Sequence, residues 1–178
     1  MQDILVVVDM QTDFVDGALG TAEAVAIVPQ VVDRVAQALR RGERVFFTRD
    51  THQPDYLQTQ EGSKLPVPHC IQGSPGWEII PQLRDFCAEG VLVDKPSFGS
   101  PQLAALLDAA NRQDPIRQIT LIGLCTDICV ISNALLLKAQ LPEVPILVDA
   151  SCCAGVTPES HSKALDAMRM CQVEILST

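Results

Sequence analysis

No apolar run in this chain approaches the roughly 20 residues needed to cross a bilayer, although 47% of its 178 residues are hydrophobic. A membrane-spanning reading therefore fails. A secretory leader is also missing from the start, MQDILVVVDM, which carries Asp3 and enters an apolar strand at once; cytoplasmic residence is the expectation. Positive charge is scarce. With 13 Lys and Arg against 22 Asp and Glu, the net charge of −9 provides no basic footprint for phosphates, so neither nucleic acid nor a membrane is an expected partner. The seven cysteines, at 70, 87, 125, 129, 152, 153 and 171, lack the paired spacing of a cysteine zinc site. Most are expected to be small buried residues or free thiols. Repeats, low-complexity tails and linkers are absent as well. This length predicts one domain over residues 1–178, large enough to bury a core without disulfides.

What is present is an alternation of short apolar runs with helical patterns. ILVVVDM begins with a continuous apolar stretch, Ile4 to Val8, suited to a strand covered on both faces. From Ala22 to Arg40 apolar residues recur at helical spacing, with Pro29 in a first turn if the regular helix begins near Val28, and Gly42 closing it. RVFFT is the second strand. Residues 49–76 show no convincing helix or strand, and a long irregular insertion in a compact fold is often a binding loop. A short helix over Trp77 to Phe86, the strand GVLVD, a helix from Pro101 to Ala110 and the strand ITLIG follow. Next come a helix from Thr126 or Asp127, the strand PILVDA, the helix PESHSKALDAMRM and the strand VEIL. Six strands alternating with helices predict a three-layer α/β/α fold with a mostly parallel sheet. Its expected strand order is 3-2-1-4-5-6.

The strand exits carry the chemistry. Asp9, Asp50 with His52, and Lys95 each follow an apolar run, and GLCTDICV places Cys129 in the first turn of a helix after a fourth. In an open parallel sheet these ends share one rim, where a ligand enters at the topological switch. Helix-start amides favour a thiolate, so Cys129 rather than Cys125 is the expected nucleophile. Asp9 and Lys95 bring a carboxylate and an ammonium to the same rim as that thiol. The exit of strand one, DMQTDF, lacks the glycine fingerprint of a dinucleotide fold. Asp13 is expected to brace Lys95 or the loop, Asp127 to cap a helix, Asp149 to organise a turn, and His161 to be structural.

Taken in order, VVVDMQTDF, TRDTH, LPVPHCIQGSPGW, LVDKPSFGS, GLCTDICV and DASCCAGVTPESHSKAL strongly resemble the isochorismatase-like cysteine hydrolases, and within them the nicotinamidases. The resemblance covers nearly the whole chain. It implies Cys129 as nucleophile, Asp9 as acid and base, Lys95 as supporting ammonium, and the backbone amides of Cys125 and Cys129 as oxyanion hole, with a cis peptide between Leu124 and Cys125. It further implies a divalent metal, zinc first and iron or manganese otherwise, on Asp50, His52 and His69. The loop lacks a third histidine, which makes Glu61 the expected fourth ligand, with Gln58 or water as alternatives. Phe14, Trp77 and Phe98 are the expected walls around an aromatic ring.

The implied reaction is hydrolysis of nicotinamide to nicotinate and ammonia through a cysteine thioester, with NAD not expected as a cofactor. Another amidase of the same superfamily, acting on a different small carboxamide or a carbamoyl compound, is the alternative. A noncatalytic binding protein that kept the fold is a third. Self-association follows from the resemblance alone, because related proteins often assemble.

Overall fold

The computed structural model describes residues 1–176. In β1 (Gln2–Val8), residues Ile4 to Val8 are all fully buried. Ile4, Val6 and Val8 enter one apolar cluster while Leu5 and Val7 enter another on the opposite face, as the two-residue repeat of a strand requires. β1 pairs with β2 (Arg44–Asp50) on one side and β4 (Ile116–Leu124) on the other. β3 (Val91–Lys95) extends the first side, and β5 (Ile146–Ala154) with β6 (Glu174–Leu176) the second. Every pairing is parallel and the order is β3-β2-β1-β4-β5-β6, as expected.

Helices cover both faces. The turn α1 (Thr12–Val15) and helix α2 (Ala22–Ala26) lead into α3 (Val28–Arg40), which buries Val31, Val35 and Ala38 against the Leu5 and Val7 face. A five-residue helix, α4 (Gln60–Lys64), lies in the insertion, and α5 (Pro81–Cys87) adds Leu83 to the same layer as α3. The other layer consists of α6 (Pro101–Gln113), α7 (Ile131–Gln140) and α8 (Pro158–Met170), contributing Leu103, Leu107, Ala134, Leu137, Leu165 and Met168. No helix among the described residues is long and apolar enough to cross a membrane.

Several boundaries differ from the pattern-based expectation, while the helical region over 22–40 meets it. As expected, after the short α2 the regular helix α3 begins at Val28 with Pro29 in its first turn. Its far end closes as a Schellman motif, with Gly42 at φ 73° and the Glu43 amide donating to Ala38 O. Trp77 falls in a single 3-10 turn, Pro75–Trp77, and helix α5 starts only at Pro81. Ile79 is engaged in a bridge with Gln11, and a residue before proline avoids helical backbone. β5 runs on through Cys152 and Cys153: between Leu121↔Val148 and Gly123↔Cys153 the extra residues bulge, and Asp149 Oδ1 accepts from Ser151 N and Oγ within that bulge. The insertion holds short structure, a 3-10 turn Tyr56–Gln58 followed by α4, whose N-cap is Thr59.

Candidate active site

Asp9 follows β1 in the left-handed region at φ 47°, which turns the chain out of the sheet. Its Oδ1 accepts a 2.6 Å hydrogen bond from Thr48 Oγ1 on the neighbouring strand, and its Oδ2 lies 2.7 Å from Lys95 Nζ. Lys95, the last residue of β3, is fully enclosed. Its ammonium donates to Asp50 Oδ1 at 3.3 Å, to Ser97 O at 3.1 Å and to Cys129 Sγ at 3.4 Å. The ion pair to Asp9 is the shortest of its four contacts. Beyond that ion pair, Asp9 Oδ2 has no further hydrogen-bond donor among the described residues.

Cys129 sits in a π-type turn, Thr126–Val130, directly after β4. The Leu124–Cys125 peptide is cis, as the family pattern implies, and Val130 N donates back to Cys125 O. Burial raises the Cys129 thiol well above its ordinary value; the Asp9 charge pushes the same way and Lys95 opposes both. Asp9 is also raised, by burial first and the Asp50 charge next, with Lys95 working against them. Burial would lower Lys95, but Asp9, Cys129 and Asp50 outweigh it and keep the ammonium charged. The thiol therefore holds its proton more tightly than a free cysteine, beside a carboxylate more basic than a free one.

Asp50 joins this group to a second. Its Oδ2 lies 3.0 Å from His52 Nε2 and 3.6 Å from His69 Nε2. Glu61 Oε1, from α4, lies 3.6 Å from His52 Nε2 and 3.7 Å from His69 Nε2. All four donor atoms fall within 4.8 Å of one another. A tetrahedral ion with bonds of about 2.1 Å has ligand–ligand edges of about 3.4 Å, so the donor set fits a divalent metal. His69 Nδ1 lies 2.8 Å from Val67 O, which fixes the tautomer that presents Nε2 to the cluster. Burial would raise Asp50, but the bonds to His52 and His69 and the Lys95 charge outweigh it and hold the carboxyl well below the usual range.

A cavity of about 370 Å³ opens over both groups, lined by Phe14, Leu19, Phe98, Ile128, Cys125 and Cys129 together with Asp50, Glu61 and His69. Phe14 and Phe98 are therefore at the wall. Trp77 is not: Arg49 covers its ring at 3.7 Å, and its Nε1 donates to Thr51 Oγ1. Nearby stands Tyr56, buried against both histidine rings and bonded to Leu65 O, a support that pattern reading did not single out.

Gln11 was also missed. Fully buried, its amide accepts from Asp50 N at 2.7 Å and donates to Asp50 O at 2.9 Å and Trp77 O at 2.8 Å, clamping the backbone of the shared ligand. A glutamine at a strand exit is the only signal, and it resembles an ordinary loop residue. Asp13 braces the loop and not Lys95: its Oδ2 accepts from Cys70 N, next to His69. The Asp127 carboxylate accepts from Val156 N, and His161 pairs with Thr126 Oγ1, so neither contributes to the metal cluster.

Fold and site together define a class, the three-layer α/β hydrolases in which a buried thiol, ammonium and carboxylate adjoin a metal-binding cluster. Within that class the chain belongs to the isochorismatase family, whose domain model matches residues 3–178. A nicotinamidase/pyrazinamidase of Mycobacterium tuberculosis is 29% identical over 97% of each chain. Among solved structures, a pyrazinamidase of Pyrococcus horikoshii in complex with zinc superimposes with a TM-score of 0.83 at 25% identity over 100% of both chains. An N-carbamoylsarcosine amidase from Thermoplasma acidophilum gives 0.79 at 27% identity, covering 98% of this chain and 95% of that one.

Proposed function

We propose that this protein is a nicotinamidase, hydrolysing nicotinamide to nicotinate and ammonia through a thioester on Cys129. The observation that carries the reading is the meeting of Cys129 Sγ, Lys95 Nζ and the Asp9 carboxylate beneath a cavity that also exposes the metal-ligand cluster. Asp9 takes the thiol proton as Cys129 attacks the carboxamide carbon, and Oδ2 is the oxygen with capacity to receive it. Lys95 balances the charge on sulfur. The backbone N–H groups of Cys125 and Cys129 are assigned to the developing oxyanion. Asp9 then passes the proton to the leaving ammonia, and a water deprotonated by Asp9 opens the thioester to release the acid and restore the thiol.

Asp50, His52, His69 and Glu61 are the residues assigned to hold the divalent ion, with zinc the first choice. When bound, the ion supplies a Lewis-acid anchor for a ring nitrogen. Phe14 and Phe98 flank the ring on the cavity side. The reading is tested by ammonia release from nicotinamide with metal content measured alongside. Cys129→Ala is expected to retain fold and metal but lose about 10⁴-fold or more in kcat, the scale for loss of a nucleophile. His52→Ala is expected to lower metal occupancy and raise KM. Undiminished turnover in C129A would end the proposal.

The likeness to the carbamoylsarcosine amidase supports a second reading, hydrolysis of a carbamoyl compound by the same thiol. A substrate panel containing both amides separates them: the carbamoyl reading requires turnover that survives loss of His52.

A further inference from the structure

Asn133 lies in the first turns of α7, fully buried, where an apolar residue would be the ordinary choice. Its side chain makes three hydrogen bonds. Nδ2 donates to Cys129 O at 2.8 Å, four residues earlier on the same helix face, and to Phe98 O at 3.1 Å. Oδ1 accepts from Ser100 N at 2.9 Å. A buried amide is retained at little cost only when its polar atoms are satisfied, and here two of the three partners belong to the loop between β3 and α6.

That loop also holds the ammonium. Lys95 Nζ donates to Ser97 O, and the same nitrogen donates to Cys129 Sγ. The contacts close a ring running from Cys129 through Asn133, Phe98, Ser97 and Lys95 back to Cys129. A side chain joining helix and loop inside such a ring fixes the separation of the two ends that meet at the sulfur. We propose that Asn133 is a positioning residue that sets the Lys95–Cys129 contact by tying the 96–100 loop to the nucleophile-bearing turn. The same ties hold Phe98 at the cavity wall. The proposal deepens the cysteine-hydrolase reading of this site and rests on it for its meaning in turnover.

Two substitutions separate the links. Asn133→Ala removes all three bonds. Asn133→Thr keeps a hydroxyl able to bond the carbonyl four residues earlier, but cannot reach the loop. The readout is alkylation of Cys129 by iodoacetamide, resolved by peptide mass spectrometry, with the exposed Cys171 of the same molecule as internal reference. This readout needs no amide substrate, so its result stands even if nicotinamide is not turned over. Both variants are expected to slow Cys129 alkylation by about threefold or more relative to Cys171, because the ammonium that favours the thiolate is no longer held against it. In turnover, kcat is expected to fall about tenfold while KM changes by less than about threefold, the pattern of an interaction that matters after binding. If Asn133→Ala does not fold, the threonine variant decides. Unchanged or faster alkylation of Cys129 in folded N133T would overturn the proposal, since its loop links are gone.

Discussion

Lys95 has no route to water, so its charge has to be matched by the groups around it. Asp9 and Asp50 supply that match while Cys129 Sγ accepts a hydrogen bond, and each belongs to a different strand exit. Replacing it with the similarly shaped Lys95→Met leaves Asp9 buried without a cation, while Asp50 keeps His52 and His69, and is expected to cost about 3–5 kcal/mol at neutral pH. The sign with pH follows. Without the ammonium the Asp9 carboxylate binds its proton more tightly folded than unfolded, so the deficit is full at neutral pH and above and shrinks as pH falls through its raised folded value. Urea unfolding of both proteins between pH 8 and pH 4 measures it; a constant difference would show that the ammonium does not compensate Asp9. Residue identities of this kind are legible in sequence, because strand exits in a parallel sheet converge. Protonation state is not. The thiol's resting form depends on burial by elements far along the chain, and Trp77 leaves the expected wall because Arg49 of β2 captures its ring.

Elements were legible where apolar periodicity was strong and less so where a single backbone position decides the path. Gly123 is such a position. At φ 112°, it pairs with Val8 at the centre of the sheet, and an added Cβ would lie 2.1 Å from Val8 O. Pattern reading sees only a glycine ending ITLIG. Asp9 and Cys125 each follow within two residues of this pair, so any shift here moves both halves of the site. Gly123→Ala is expected to destabilise by about 3 kcal/mol or more, combining a disallowed backbone with a clash against main chain. Gly42→Ala is the control: its φ of 73° imposes a backbone penalty, but the space around it is open, so about 1–2 kcal/mol is expected. Comparable urea midpoints for the two variants would refute the close approach of β4 to β1. The β5 bulge escaped notice for a similar reason, since Asp149 and Ser151 resolve a pairing mismatch that only the neighbouring strand reveals.

Across the molecule, the sheet and the insertion differ in what holds them. The strand order and the rim follow from alternation of apolar runs, and the core on both faces secures them without the metal. The insertion has less of this support: Tyr56 packs against the His52 and His69 rings, and polar ties do the rest. Asp50 and His52 leave β2, Glu61 comes from the five-residue α4, and His69 from the loop beyond it, so a bound ion would join three segments that share little apolar packing. A helix as short as α4 has negligible stability of its own. Gln11 and Asp13 pin the flanks at Asp50 and Cys70, which confines any opening to the stretch between them. Removal of metal by a chelator is therefore expected to open residues 53–66 locally and leave the sheet folded. Lys64 is exposed within that stretch and offers trypsin a cleavage point. Cleavage after Lys64 is expected to accelerate about tenfold in the chelated protein and to return to the original rate on adding zinc, while far-ultraviolet circular dichroism stays constant. Equal cleavage rates with and without metal would mean that the four donors do not cross-link the insertion, whatever they contribute to the reaction.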